Sequence, residues 1–163
     1  MARPPRPRSE KLLNGPTLLR GYCFLGLLLS VGGMFGYFWQ LSRRGWHWGV
    51  TGADPLFAPG TLFQREGATM VFLGIIIMQV ANVFACRTER ASVFTVGFFS
   101  NRLVFAGIAF ELVFAAVLIY VPFFQKIFGT APVGWECWMV LFLFTPLVFL
   151  AEEGRKAWVR RRA

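Results

Sequence analysis

An all-α polytopic membrane protein, folded as a four-transmembrane-helix bundle, is the fold class that this sequence predicts, and three observations predict it. Four apolar runs divide the chain, each close to the length of a bilayer crossing. Only 15% of the 163 residues are charged, against about 25% in an ordinary soluble domain. The basic residues that give the net charge of +9 stand at the ends of the runs rather than inside them. That distribution directs the charge at anionic lipid and topology signals, and no nucleic acid partner is expected.

Residues 1–20 form a basic tail with Arg3, Arg6, Arg8, Lys11 and Arg20 against the single acid Glu10. Pro4, Pro5, Pro7 and Pro16 oppose a helix before Thr17. The apolar run that follows is too long for a cleaved leader, so a retained anchor is expected. Residues 21–42 carry no charge and end at Arg43-Arg44; they are the first span. Within it Gly32 and Gly36, with Gly33 between them, make a strip where another helix can approach closely.

Residues 43–66 read as an extracytoplasmic loop, punctuated by Pro55, Pro59 and Gly60. Trp46, His47 and Trp48 fall at headgroup level, and His47, the sole histidine, reads as an interfacial side chain. Residues 67–86 are the second span. Twenty uncharged residues at 1.5 Å each cover about 30 Å, the hydrocarbon thickness. Gln79 and Asn82 lie three apart on one face of it and need partners there.

Residues 87–102 are a cytoplasmic loop opening on Arg87-Thr88-Glu89-Arg90, with Ser100-Asn101 as the cap of the next helix. Residues 103–125 form the third span, interrupted by Glu111 and closed by Pro122. After a loop at 126–134, residues 135–153 form the fourth, with Trp135 and Trp138 at an interface and a bend expected at Pro146. Its uncharged core, 137–151, is short, so Glu152, Glu153, Arg155 and Lys156 are expected to continue the helix outward into the basic tail 154–163. Four spans place thirteen basic residues on the side of the termini and four on the other. Both termini are therefore expected in the cytoplasm, in the plasma membrane of a prokaryote, with Arg87, Arg90, Arg155, Lys156, Arg160, Arg161 and Arg162 serving topology and lipid contact.

Cys23, Cys86 and Cys137 have no metal-binding spacing and read as packed thiols. Glu111 has two readings of equal weight: a neutral acid bonded to a neighbouring helix, or a group facing water or a cation. Gln79 and Asn82 supply carbonyl oxygens, which suit hard cations, but with Glu111 they are too few to close a site. The sequence contains no phosphate-binding glycine loop, no Gly-x-Ser-x-Gly and no His-Glu-x-x-His, so neither stand-alone catalysis nor a cofactor is expected.

The run Gln79-Val80-Ala81-Asn82 through Cys86-Arg87-Thr88-Glu89-Arg90-Ala91-Ser92-Val93-Phe94 resembles the eighth membrane helix and following loop of P-type cation-transporting ATPases. Gly107-Ile108-Ala109-Phe110-Glu111, with Ala115-Ala116 and Tyr120, resembles the ninth. The stretch Phe149 to Arg162 resembles the end of the tenth, and Leu12-Leu13-Asn14 with Leu18-Leu19-Arg20 resembles the approach to the seventh. The resemblance implies the last four of ten membrane helices, with Gln79 and Asn82 lining or supporting the cation region. It also places Glu111 where sodium/potassium pumps carry a glutamate associated with a sodium site. Those pumps have aspartate at Asn82, a departure that argues against a sodium-specific site.

The resemblance further implies the rest of such a pump as partner, since the phosphorylated Asp-Lys-Thr-Gly-Thr motif and the nucleotide-binding domain are absent from these residues. Three readings stand. The chain is the carboxy-terminal membrane segment of a pump whose gene is split or truncated, an accessory protein that binds another helix bundle through its glycine face, or a small carrier using Glu111. The first is preferred, because the intramembrane polar groups lack visible partners within the sequence.

Overall fold

The computed structural model describes residues 15–47, 49, 55–86, 97 and 101–162, apart from the side chains of Pro16, Thr17, Ala85 and Arg162. Every regular element among them is helical. The first rod runs from α1 (Gly15–Leu19) through π-helical turns at Arg20–Leu25 into α2 (Gly26–Arg43). After a 3-10 turn at Pro55–Phe57 come α3 (Leu62–Cys86), α4 (Arg102–Tyr120), α5 (Pro122–Phe128), α6 (Trp135–Phe142) and α7 (Thr145–Arg162). Four stretches are long and apolar enough to cross a membrane: Arg20–Arg43, Leu62–Phe84, Arg102–Tyr120 and Trp135–Arg161.

The limits of these helices follow from local chemistry. Asn101 caps α4 by accepting a hydrogen bond from the Leu103 amide at 3.0 Å, so the cap stands where the sequence placed it. The helix stops at Tyr120 rather than running on to residue 125. Val121 is extended, as the residue before a proline must usually be, and Pro122 opens α5 from its first turn. Gly129 then ends α5 in the left-handed region at φ 66°. The second span starts at Leu62 rather than Gly67, because Arg65 and Glu66 both find partners inside the protein. The last span breaks at Leu143-Phe144, just ahead of Pro146, which has no N–H to continue the ladder.

The centre of the bundle is α3. Half of its membrane window is buried, against 17 to 22% for the other three. Met70, Leu73 and Ile77 recur at helical spacing and pack with Ile119 of α4 and with Cys137 and Leu141 of α6. One turn further on, Met78 and Ala81 pack with Val148 of α7, flanked by Leu28 and Leu29 of α2.

Glycines set the distance between α2 and α3. Gly32, Gly33 and Gly36 are buried. A Cβ built on Gly74 would lie 3.2 Å from the Gly33 Cα, a backbone atom that cannot rotate away. A Cβ on Gly32 would instead collide with the thioether of Met78, a flexible side chain that can move. The glycine strip noted in the sequence is thus occupied by contacts within the chain.

A second set of bonds holds the α5–α6 connection. Arg65 donates to the carbonyls of Gln125, Gly129 and Thr130, which close the end of α5. Thr69 Oγ1 accepts from the Ala131 amide at 2.8 Å and donates to the Arg65 carbonyl at 2.8 Å. Tyr120 donates to the Val133 carbonyl at 2.7 Å and accepts from Trp138 Nε1 at 3.0 Å.

Two outcomes are expected. Gly74→Val should lower stability by about 1–3 kcal/mol through overpacking, while Gly107→Ala, where a Cβ meets nothing within 4 Å, should not. Helical circular dichroism during unfolding in detergent reads the difference, and equal midpoints would remove the close-approach account. Thr69→Val strands the buried Ala131 amide and should cost about 1–3 kcal/mol. Hydrogen exchange at Ala131 should accelerate, and unchanged protection would contradict the role given to Thr69.

Candidate functional site

Gln79, Asn82 and Glu111, the residues singled out for a cation region, come from two helices. On α3, Ile75, Gln79 and Val83 form an exposed stripe opposite the buried Met70, Leu73 and Ile77. Asn82 Nδ2 donates to Gln79 Oε1 at 2.7 Å, and Cys86 Sγ lies 3.2 Å from Asn82 Oδ1. The spacing of three and four residues puts these groups one above the other. Each amide oxygen spends one lone pair inside this ladder and keeps a second.

Glu111 stands on α4, half-buried, between neighbours that face outward. Phe110 is 71% exposed and Val113 63%, and the Phe110 and Phe114 rings stack at 6.0 Å. Among the described residues no hydrogen bond or ion pair reaches Glu111. The structure therefore joins Gln79 to Asn82 but does not bond either amide to Glu111. Among the described residues there is also no group of three His, Cys, Asp or Glu side chains able to hold a metal. What the arrangement offers is a pair of amides and a carboxyl on surfaces that the four helices cover only in part.

The basic residues fall into distinct settings. Arg87 and Arg90 lie outside the described residues, as does the side chain of Arg162. Arg160 and Arg161 are exposed. Arg155 is partly buried and donates to both oxygens of Glu152, at 2.9 and 2.7 Å. Lys156, expected to reach lipid headgroups, is instead fully buried and donates to Glu153 at 3.0 Å, because its turn of α7 faces into the protein. Glu152 is also fully buried and takes a second guanidinium, from Arg20.

At the opposite end of the bundle lies a cluster that sequence reading missed. Glu66 is 3% exposed and accepts from Nε and Nη2 of Arg44, at 2.7 and 2.6 Å. Gln40, equally buried, donates to the same carboxylate at 2.9 Å, and Cys137 Sγ lies 3.5 Å from the Gln40 carbonyl oxygen. The hydrogen bonds to Glu66, with its negative charge, raise the Arg44 guanidinium above its ordinary pKa. Arg43 reaches Glu136 at 3.0 Å. Gln40, Arg43, Arg44, Glu66 and Glu136 line a partly open cavity of about 140 Å³. The available signal was Gln40, a strong polar residue inside the first run, which matched Glu66 at the mouth of the second.

The whole chain can now be set beside known proteins. A family model described as cation transporting ATPase, C-terminus, matches residues 1–158. Potassium-transporting ATPase alpha chain 1 of Xenopus laevis is 29% identical over 178 residues, covering 98% of this chain and 17% of that protein. Calcium-transporting ATPase 1 of Saccharomyces cerevisiae is 29% identical over 162 residues, covering 99% and 15%. Its counterpart in Yarrowia lipolytica is 28% identical over 163 residues, covering 100% and 16%. The chain thus spans about one sixth of the length of the relatives it matches. The resemblance carried by Gln79 to Phe94 and Gly107 to Tyr120 extends over its full length, and with four membrane-capable helices the chain belongs to the family of cation-transporting ATPase C-terminal membrane regions.

Proposed function

We propose that this chain acts as the closing four helices of a P-type cation pump, bracing the transport helices and presenting Gln79, Asn82 and Glu111 to the cation region. It works with the remaining catalytic and membrane parts of such an ATPase and does not pump alone. One observation carries this reading: within the spans, Gln79 lies exposed and Asn82 and Glu111 half-buried, on faces that the bundle covers only in part. Amides and carboxyls in hydrocarbon are costly unless another group meets them. A further set of helices carrying a cation between them supplies that group.

The same reading has both termini in the cytoplasm, on the thirteen-to-four division of basic residues, with anionic lipid at that surface. The relatives are named for potassium and for calcium at equal identity. The ion is accordingly assigned to ligands on the partner helices, with these three side chains tuning its affinity.

Co-expression with a P-type ATPase lacking its own last four membrane helices tests the proposal. Cation-stimulated ATP hydrolysis should return when this chain is present. Replacing one oxygen ligand, as in Asn82→Leu or Glu111→Leu, should raise the half-saturating cation concentration about tenfold, the equivalent of one hydrogen-bonded or charged contact. The purified chain in liposomes should pass no cations above empty vesicles. Flux through the chain alone that Glu111→Gln abolishes would replace this reading with an independent carrier.

A further inference from the structure

The cavity beside Gln40 and Glu66 has a floor and a rim of different character. Gln40 and Glu66, almost wholly buried, form the floor, where Arg44 meets the Glu66 carboxylate through two nitrogens. Arg43 and Glu136 line the same cavity, yet they keep 44% and 38% of their side chains exposed, and a single contact of 3.0 Å joins them. That contact runs from the last residue of α2 to the first turn of α6. Below the floor lies a thiol. Cys137 is fully buried, and its sulfur stands 3.5 Å from the Gln40 carbonyl oxygen, so one side chain separates it from the cavity.

Two features aim the rim pair. The Arg43 guanidinium lies over the Trp39 ring, 4.8 Å from its centroid. Gly134, the residue before α6, has φ −69° and ψ 163°, a conformation open to any residue, so the backbone does not call for glycine there. Space does: a Cβ on Gly134 would overlap the Glu136 carboxylate. Glycine leaves the room in which that carboxylate folds back over the start of α6 and meets Arg43. An exposed ion pair is weak and screened by salt, whereas the buried bonds of Glu66 are costly to lose. The rim can open while the floor stays bonded.

We infer that Arg43 and Glu136 form a strap across this cavity, and that its release, by salt or by displacement of the carboxylate, lets small solutes pass Gln40 to the Cys137 thiol. Ionic strength at this end of the bundle then sets how far solvent enters it. The strap uses none of Gln79, Asn82 and Glu111, on which the pump reading rests, so either can fail without the other.

Alkylation of Cys137 reports the state of the strap. The full chain in nonionic detergent is treated with N-ethylmaleimide and each cysteine is followed by peptide mass spectrometry, with the exposed Cys23 as internal reference. Relative to Cys23, Cys137 should react about two- to fivefold faster in Glu136→Gln and in Gly134→Ala, the range that loss of one exposed ion pair covers. In about 1 M potassium chloride, where the screening length falls to about 3 Å, the unaltered chain should show the same rise and Glu136→Gln none. Exchanging the charges, Arg43→Glu with Glu136→Arg, should return the rate toward that of the unaltered chain. An unchanged rate in both single variants, or a salt response that Glu136→Gln retains, overturns the strap. So does a rise accompanied by loss of helical circular dichroism, since unfolding and not a released contact then exposes the thiol.

Discussion

The approach of α2 to α3 is the constraint on which the other contacts depend. Between helices in hydrocarbon the hydrophobic effect offers little, and association rests on close packing and on polar bonds. Gly33 against Gly74 brings two backbones together, and Met70, Leu73, Ile77 and Met78 can then fill the remaining space around α3. α4 stands further out, with few buried positions of its own. It is held at one end by the bonds that Tyr120 and Thr130 make to and from the loop after α5.

Polar groups follow the same logic at different depths. Near the ends of the spans they are satisfied within the chain: Arg65 on the carbonyls behind α5, Glu66 between Arg44 and Gln40, Glu152 between Arg20 and Arg155. Buried pairs of this kind contribute little net stability, yet losing one partner costs about 3–5 kcal/mol. They act as fixed registers more than as glue. For Gln79, Asn82 and Glu111 the pattern changes, since the two amides bond chiefly to each other and Glu111 stands half-buried beside outward-facing phenylalanines. That contrast is what an interface with further helices requires.

Length and charge made four helices legible, and the Asn101 cap and the outward continuation of the last helix could both be read from short patterns. Helix limits were harder. Charge marks the end of a span in the sequence, but Arg65 and Glu66 enter the protein because distant partners meet them: backbone carbonyls 60 to 65 residues on for Arg65, and Arg44 and Gln40, 22 and 26 residues back, for Glu66. No local pattern announces such pairing. Lys156 misled for the same reason: a lysine at the end of an apolar run usually extends to headgroups, and only the rotation of α7 turns it inward. The sequence predicts a bend at Pro146, and the interruption falls two to three residues ahead of it, at Leu143-Phe144.

The Arg20–Glu152 contact joins positions 132 residues apart, one at the start of the first rod and the other near the close of the last. A ribosome releases the chain from one end, so Arg20 reaches the bilayer long before its counter-charge exists. Until α7 emerges, the first helix has to wait with an unmatched guanidinium at the lipid boundary. Latching of the first rod to the last is therefore tied to the emergence of α7, and a product cut short before Glu152 would lack that latch.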